Sequence, residues 1–349
     1  MRRYRFLLPL VAVALLTGAG GDPVAPVVAH LAVILLSAKV GGDLAVRAGQ
    51  PAVLGELVAG VVMGNVALVG YDGFEAIKQD VTVDQLARLG VLILLFEVGL
   101  EATVRQMLAV GGTSLSVAVL GVVAPMGLGW LVGAWLLPDH SLFVHAFLGA
   151  TLCATSVGIT ARVLQDLSRS QSREARVILG AAVIDDVLGL MVLSIVTGAI
   201  SAADTGRTMT FGAVGGLVVK AGAFLVGAMA LGVALAPRLF KLASRLRARG
   251  ALLALGLAIC FLLSWLADVI GLAPIVGAFA AGLILEDVHF KSFRDRGERG
   301  LEDLIHPIAS FLVPVFFVLM GMHTEVASFA RPEVLGLAAA LTVAAIIGK

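Results

Sequence analysis

The chain has 349 residues, 59% of them hydrophobic and only 14% charged, with a mean hydropathy of +1.02. Soluble domains carry about 25% charged residues, so this composition excludes an ordinary water-soluble protein. The net charge of +1 points to no nucleic-acid or acidic partner, and Cys153 and Cys260, both in apolar stretches, suggest no disulfide framework.

Apolar segments recur from end to end, at about 6–19, 28–46, 51–69, 86–100, 107–137, 143–164, 177–201, 210–236, 250–270, 272–287, 305–322 and 333–349. The expected fold class is an all-α polytopic membrane protein. The 41 glycines suit close helix packing in lipid. The first segment has two readings. Met1-Arg-Arg-Tyr-Arg, a short apolar run and Thr17-Gly-Ala-Gly-Gly look like a signal peptide, and equally like an extra short helix. Residue 20 emerges outside in either case.

Loop charges fix the orientation. With the N-terminus inside, Lys78, Arg88, Arg207 and Arg331 face out, Lys220 and Lys349 fall within spans, and the other nineteen of the 25 basic residues face in. That asymmetry satisfies the positive-inside rule. It places Asp185 and Asp186 about 14 Å from the inner surface, from the 1.5 Å rise per helical residue, near the middle of the bilayer.

A repeat runs through the chain. Gly55, Ala59 and Gly60, which follow Pro51, recur 222 residues on as Gly277, Ala281 and Gly282, which follow Pro274; Gly99 recurs as Gly321. The first copy runs inside to outside and the second outside to inside, so the expectation is an inverted repeat, the architecture of many secondary transporters with midplane binding sites at interrupted helices. On this repeat, residues 143–201 should have counterparts near 365–423. The second repeat is therefore expected to be incomplete and the sequence to be truncated at its C-terminus.

The chemistry concentrates in two segments. Gly149-Ala-Thr-Leu-Cys-Ala-Thr155-Ser156-Val-Gly158-Ile-Thr160 is apolar at its ends but rich in hydroxyls and glycine in the middle, as expected of an interrupted helix whose freed carbonyls and hydroxyls coordinate a cation. The bland alternative is a continuous helix with Ser and Thr bonded back to the preceding turn. Asp185 and Asp186 lie in the apolar run 180–195, where an unpaired carboxylate costs several kcal/mol. Neighbouring helical residues point about 100° apart, so one acid is expected to face the ion path and the other a buried partner. Sodium wants oxygen ligands, as hard cations do. Desolvation favours the neutral form of a carboxylate, so such a group holds a proton when no cation is bound. Competition for one acid is then an exchange machine. Lys349 follows about fifteen apolar residues; it is either a buried partner for Asp185 or Asp186, or a lysine snorkelling to the inner boundary. Glu56 and Glu97 line a vestibule or serve structure. The six histidines have no metal-site spacing, and no metal centre or cofactor is expected.

At Gln50–Leu57, Leu89–Glu101, Ala154–Leu164, Gly180–Leu190, Gly271–Gly282 and Pro314–Phe317 the chain resembles the bacterial sodium/proton antiporters of the monovalent cation:proton antiporter-2 family, in the cation/proton antiporter superfamily. The resemblance implies a homodimer in the bacterial inner membrane. It implies scaffold and dimerisation helices over 28–105 and 250–325, core helices over 106–201 and 333–349, and a linker helix over 210–236, with an elevator-like movement. Asp186 would then be the principal cation and proton carboxylate. Asp185 would pair with Lys349, and Thr155 and Ser156 would sit at the crossing of interrupted helices. The Asp-Asp form resembles electrogenic exchangers of sodium (or lithium) for protons; potassium-handling relatives tend to have Gln-Asp. Potassium/proton exchange is the nearest alternative. An intramembrane aspartyl protease needs two facing carboxylates that share a proton, which adjacent residues on one helix cannot provide. A non-transporting sensor built on the same fold is the other remote alternative.

Overall fold

The computed structural model describes residues 24–101, 111–153, 172–204, 250–270, 272–285 and 299–349, with isolated positions between 223 and 242. The regular structure among the described residues is all helical. The main helices are α1 (Val24–Arg47), α2 (Ala52–Asn65), α3 (Val81–Glu101), α4 (Gly111–Leu136), α5 (Leu142–Thr151), α6 (Arg173–Asp204), α7 (Ala251–Val269), α8 (Pro274–Ile284), α9 (Leu301–Met322) and α10 (Pro332–Gly348). Of these, α1, α4, α7 and α9 are long and apolar enough to cross a membrane. Large apolar side chains such as Leu120, Trp135, Trp265 and Ile346 are exposed on them and on α10, a surface suited to hydrocarbon rather than water.

Helix ends have local causes. Pro51 precedes α2, and Pro274 and Pro332 open α8 and α10, where proline's fixed φ and missing N–H cost nothing. After α1 the chain turns at Gly49, with φ +74°. The Gly49 N–H donates to the Val46 carbonyl at 3.0 Å and the Gln50 N–H to the Ala45 carbonyl at 2.9 Å, a glycine-terminated helix cap. Pro125 in α4 and Pro307 and Pro314 in α9 lie inside helices, as membrane helices tolerate.

The 222-residue repeat is a repeat of contacts. Shifted by that number, α1, α2, α3 and α4 fall onto α7, α8, α9 and α10 within a few residues at the start of each. A Cβ on Gly55 would strike the Gly41 carbonyl of α1; one on Gly277 would strike the Leu263 carbonyl of α7, at the matching position. A Cβ on Gly60 would strike the Val318 carbonyl of α9; one on Gly282 would strike the Phe96 carbonyl of α3. Gly321 abuts Leu57, Gly60 and Val61, while Gly99 abuts Phe279, Gly282 and Leu283. The contact within each copy recurs unchanged, and the contacts of α2 with α9 recur as those of α8 with α3, with the two copies exchanging roles, as an inverted repeat requires.

This packing makes a prediction. Gly60→Ala and Gly282→Ala each push a methyl into a neighbouring backbone, which does not yield, and overpacking costs about 1–3 kcal/mol. Gly127 and Gly336 have open space where a Cβ would go. Thermal unfolding in detergent should show the first two variants clearly destabilised and Gly127→Ala and Gly336→Ala close to wild type. Equal effects at all four positions would contradict the contact repeat.

By its contacts the chain divides into two compact units, Met1–Leu94 with Asp303–Arg331, and Leu95–Glu302 with Pro332–Lys349. The first has an apolar core of Val33, Ile34 and Ala38 from α1, Met63 from α2, Val83 and Ala87 from α3, and Val315, Val318, Leu319 and Met322 from α9. Two polar clamps hold its rim. The His30 Nδ1 lies 2.7 Å from the Asp80 carboxylate, and the Asn65 side chain bridges the Val61 and Thr324 carbonyls and the Val326 N–H. The second unit contains the paired helices α7 and α8, and the bundle of α4, α5, α6 and α10.

Candidate functional site

Small residues bring the bundle helices together. A Cβ on Gly149 in α5 would strike the Met126 carbonyl of α4, and one on Gly348 in α10 would press on the Pro125 backbone of α4. Ser114 of α4 donates to the Val177 carbonyl of α6 at 3.3 Å. Apolar helices without side-chain bulk at their contacts can approach this closely.

Asp185 and Lys349 meet in this bundle. Asp185 is buried in the middle of α6, and Lys349 follows α10 directly. The Lys349 Nζ donates to the Asp185 Oδ2 at 2.5 Å and to the main-chain oxygen of Cys153 at 2.7 Å. The lysine side chain is one-quarter exposed and the aspartate 6% exposed, so the ammonium end reaches inward to the carboxylate.

Cys153 belongs to a turn. α5 is only ten residues long and gives way to a turn at Leu152 and Cys153. A bilayer crossing takes about 20 helical residues, so α5 alone is half of one. Carbonyls at a helix C-terminus carry partial negative charge, which suits an ammonium. The Cys153 Sγ lies 3.4 Å from the Val122 carbonyl of α4 and 3.5 Å from the Gly149 carbonyl, which share its single S–H as acceptors. The free cysteine therefore pins the turn between α4 and α5. A Cβ on Gly121 would come to 3.6 Å from the Asp185 Oδ1, and one on Gly189, one turn beyond Asp185, to 3.7 Å from the Cys153 oxygen. These two glycines give the carboxylate and the turn room to sit against neighbouring helices.

The other candidate residues are placed as follows. Asp186 follows Asp185 in the same unbroken helix, with its Cα about 100° further round the axis. Thr155 and Ser156 lie outside the described residues. Glu56 is buried in the first unit and Glu97 lies in α3. The residue that sequence reasoning overlooked is Cys153. Its contribution is a main-chain oxygen, which no side-chain pattern announces; the only signal was its position four residues after Gly149, within the segment already read as interrupted.

Comparison with known proteins bears on this bundle. The family model described as "Sodium/hydrogen exchanger, transmembrane" matches residues 31–349. The chain is 36% identical to the high-affinity sodium/proton antiporter NhaS3 of Synechocystis sp., across 98% of this chain and 79% of that protein. It is 36% identical to the probable sodium/proton antiporter GerT of Bacillus cereus, across 84% of this chain and 73% of that one. Among solved structures, the sodium/proton antiporter MjNhaP1 of Methanocaldococcus jannaschii superposes with a TM-score of 0.66 at 15% identity, covering 92% of this chain and 76% of that one. That likeness concerns the fold.

Proposed function

The chain belongs to the transmembrane sodium/hydrogen exchanger family, and from that premise we propose that it exchanges sodium for protons by alternating access, with Asp186 as the carboxylate that the two ions share. It is a multi-pass membrane antiporter; both relatives described above are named as sodium/proton antiporters.

The observation that carries the site assignment is the pairing of Lys349 with Asp185 rather than with solvent. One ammonium offsets one of two adjacent carboxylates. The second negative charge sits in the same apolar helix, where leaving it uncompensated costs several kcal/mol. A proton or a monovalent cation supplies the balance. Either restores neutrality, and both together overcompensate, so the two exclude each other. Asp185 and Lys349 form the fixed pair. Thr155 and Ser156, two and three residues beyond the carbonyl that receives Lys349, supply further oxygen ligands of the kind a hard cation prefers. The working unit is a homodimer in the bacterial inner membrane with its N-terminus inside. Residues 106–201 and 333–349 form the moving core and residues 28–105 and 250–325 the scaffold; the linker expected at 210–236 lies mostly outside the described residues.

The test is transport by the full-length protein in proteoliposomes. An imposed proton gradient should drive sodium flux well above protein-free vesicles, with lithium following and potassium much weaker. Potassium flux equal to or above sodium flux would assign the protein to potassium/proton exchange, and absence of any cation flux would overturn the reading.

A further inference from the structure

One buried carboxyl group takes no part in the exchange. Glu56 of α2 is 6% exposed. It stands nine residues before the end of α2 at Asn65, about 14 Å at 1.5 Å per residue. An acid at that depth in hydrocarbon is costly as an ion and marks a functional position by default. Among the described residues its carboxyl group accepts no hydrogen bond and enters no ion pair. Lys39 of α1 is the basic side chain near enough to act on it, and Lys39 is itself exposed.

The packing of α2 shows what stands beside this acid. A Cβ on Gly60 would strike the Val318 carbonyl of α9, and one on Gly64 the Met322 carbonyl. The two helices therefore run parallel and in step, and one turn earlier Glu56 stands level with Pro314. Both residues are buried. Pro314 lies inside α9 and has no N–H, so the Ser310 carbonyl four residues earlier lacks its helical donor. A freed carbonyl in a membrane helix needs another donor, and a neighbouring helix is one of the usual sources. The repeat supplies a control. The contact of Gly282 with the Phe96 carbonyl matches that of Gly60 with Val318, and one turn earlier it sets Ala278 level with Leu92. The acid and the proline occur together in one copy and are absent together from the other.

We infer that Glu56 is a proton-binding site separate from Asp186, one that keeps its proton: it stays a neutral acid and donates to the Ser310 carbonyl that Pro314 leaves open. An ionised carboxylate is an acceptor only, and beside a carbonyl it would meet a second acceptor. A protonated carboxyl group offers one O–H donor, which is what the freed carbonyl lacks. The proton stands in for the missing backbone N–H and ties α2 to α9 within the first unit. This role does not depend on which cation is exchanged.

Infrared spectra and thermal unfolding of the full-length protein in detergent test the inference. At neutral pH the wild-type spectrum should contain the carbonyl band of a protonated carboxyl group that Glu56→Gln lacks. Equal spectra in that region, with an ionised carboxylate band lost instead, would overturn it. In thermal unfolding, Glu56→Gln, whose amide can donate to the same carbonyl, should stay close to wild type, and Glu56→Leu should unfold at a clearly lower temperature. Pro314→Ala gives the backbone N–H back, so Glu56→Leu should lower the unfolding temperature much less in the Pro314→Ala protein than in wild type. An equal loss in both backgrounds would overturn the hydrogen bond to Ser310. Lys39→Gln should unfold near wild type; a loss as large as that of Glu56→Leu would make Glu56 the ionised half of a pair with Lys39. Should Glu56→Leu fail to fold, the infrared comparison decides, and failure of Glu56→Gln to fold would itself contradict a neutral donor.

Discussion

Lys349→Ala is expected to cost about 3–5 kcal/mol of stability, the scale on which a buried ion pair loses one partner. The substitution leaves the Asp185 carboxylate in an apolar helix without its ammonium, and leaves the Cys153 carbonyl without the same donor. Asp185→Ala should cost a comparable amount, since it strands the ammonium. The double variant should recover most of the loss, because removing both charges is often close to neutral. Thermal unfolding of the four proteins in one detergent measures the coupling. Two single losses that simply add in the double variant would show that the pair does not act as a unit. Losses no larger than for Gly336→Ala would place Lys349 at the membrane boundary instead.

The second large effect belongs to Asp186. Asp186→Asn keeps the size of the side chain and its place in α6 but removes the charge that a cation or proton neutralises. Proton-driven sodium flux should fall to the level of empty vesicles. Asp185→Asn should differ: it removes the partner of Lys349 and lowers stability, and the freed ammonium weakens the hold of Asp186 on a cation without removing that carboxylate, so exchange should persist at a reduced rate and at a higher sodium requirement. The contrast between the two asparagine variants, each tested in the same proteoliposome assay, separates the exchanging carboxylate from the structural one. Equal loss in both, with both proteins folded, would merge the two roles.

Much of this fold is legible in the sequence because the membrane removes alternatives. Hydrocarbon leaves the backbone little choice except the helix, so apolar length alone locates α1, α4, α7 and α9, and proline locates the starts of α2, α8 and α10. The repeat is legible for a related reason. Gly55, Gly60, Gly277 and Gly282 are each pressed against a neighbouring backbone, and a position with no room for a Cβ keeps its glycine in both copies. The pairing of Lys349 with Asp185 could be approached but not decided from sequence. A lysine at the end of an apolar run reaches either inward to an acid or outward to the interface, and only the packing of α10 on α4, with Gly348 against Pro125, sets the direction. The role of the Cys153 carbonyl was illegible because main-chain oxygens look alike in every sequence. The structure describes α5 to Thr151 and a turn at Leu152 and Cys153; Thr155 and Ser156, where the break is expected, lie outside the described residues.

The most direct test of a carboxylate shared between sodium and protons is proton release on sodium binding. The purified protein is placed in weakly buffered detergent solution with a pH indicator, and sodium is added at several starting pH values. The shared site predicts that sodium expels protons, that apparent sodium affinity falls as pH falls, and that Asp186→Asn abolishes the release while Asp185→Asn retains it. Sodium binding that expels no protons, or release undiminished in Asp186→Asn, would contradict the account.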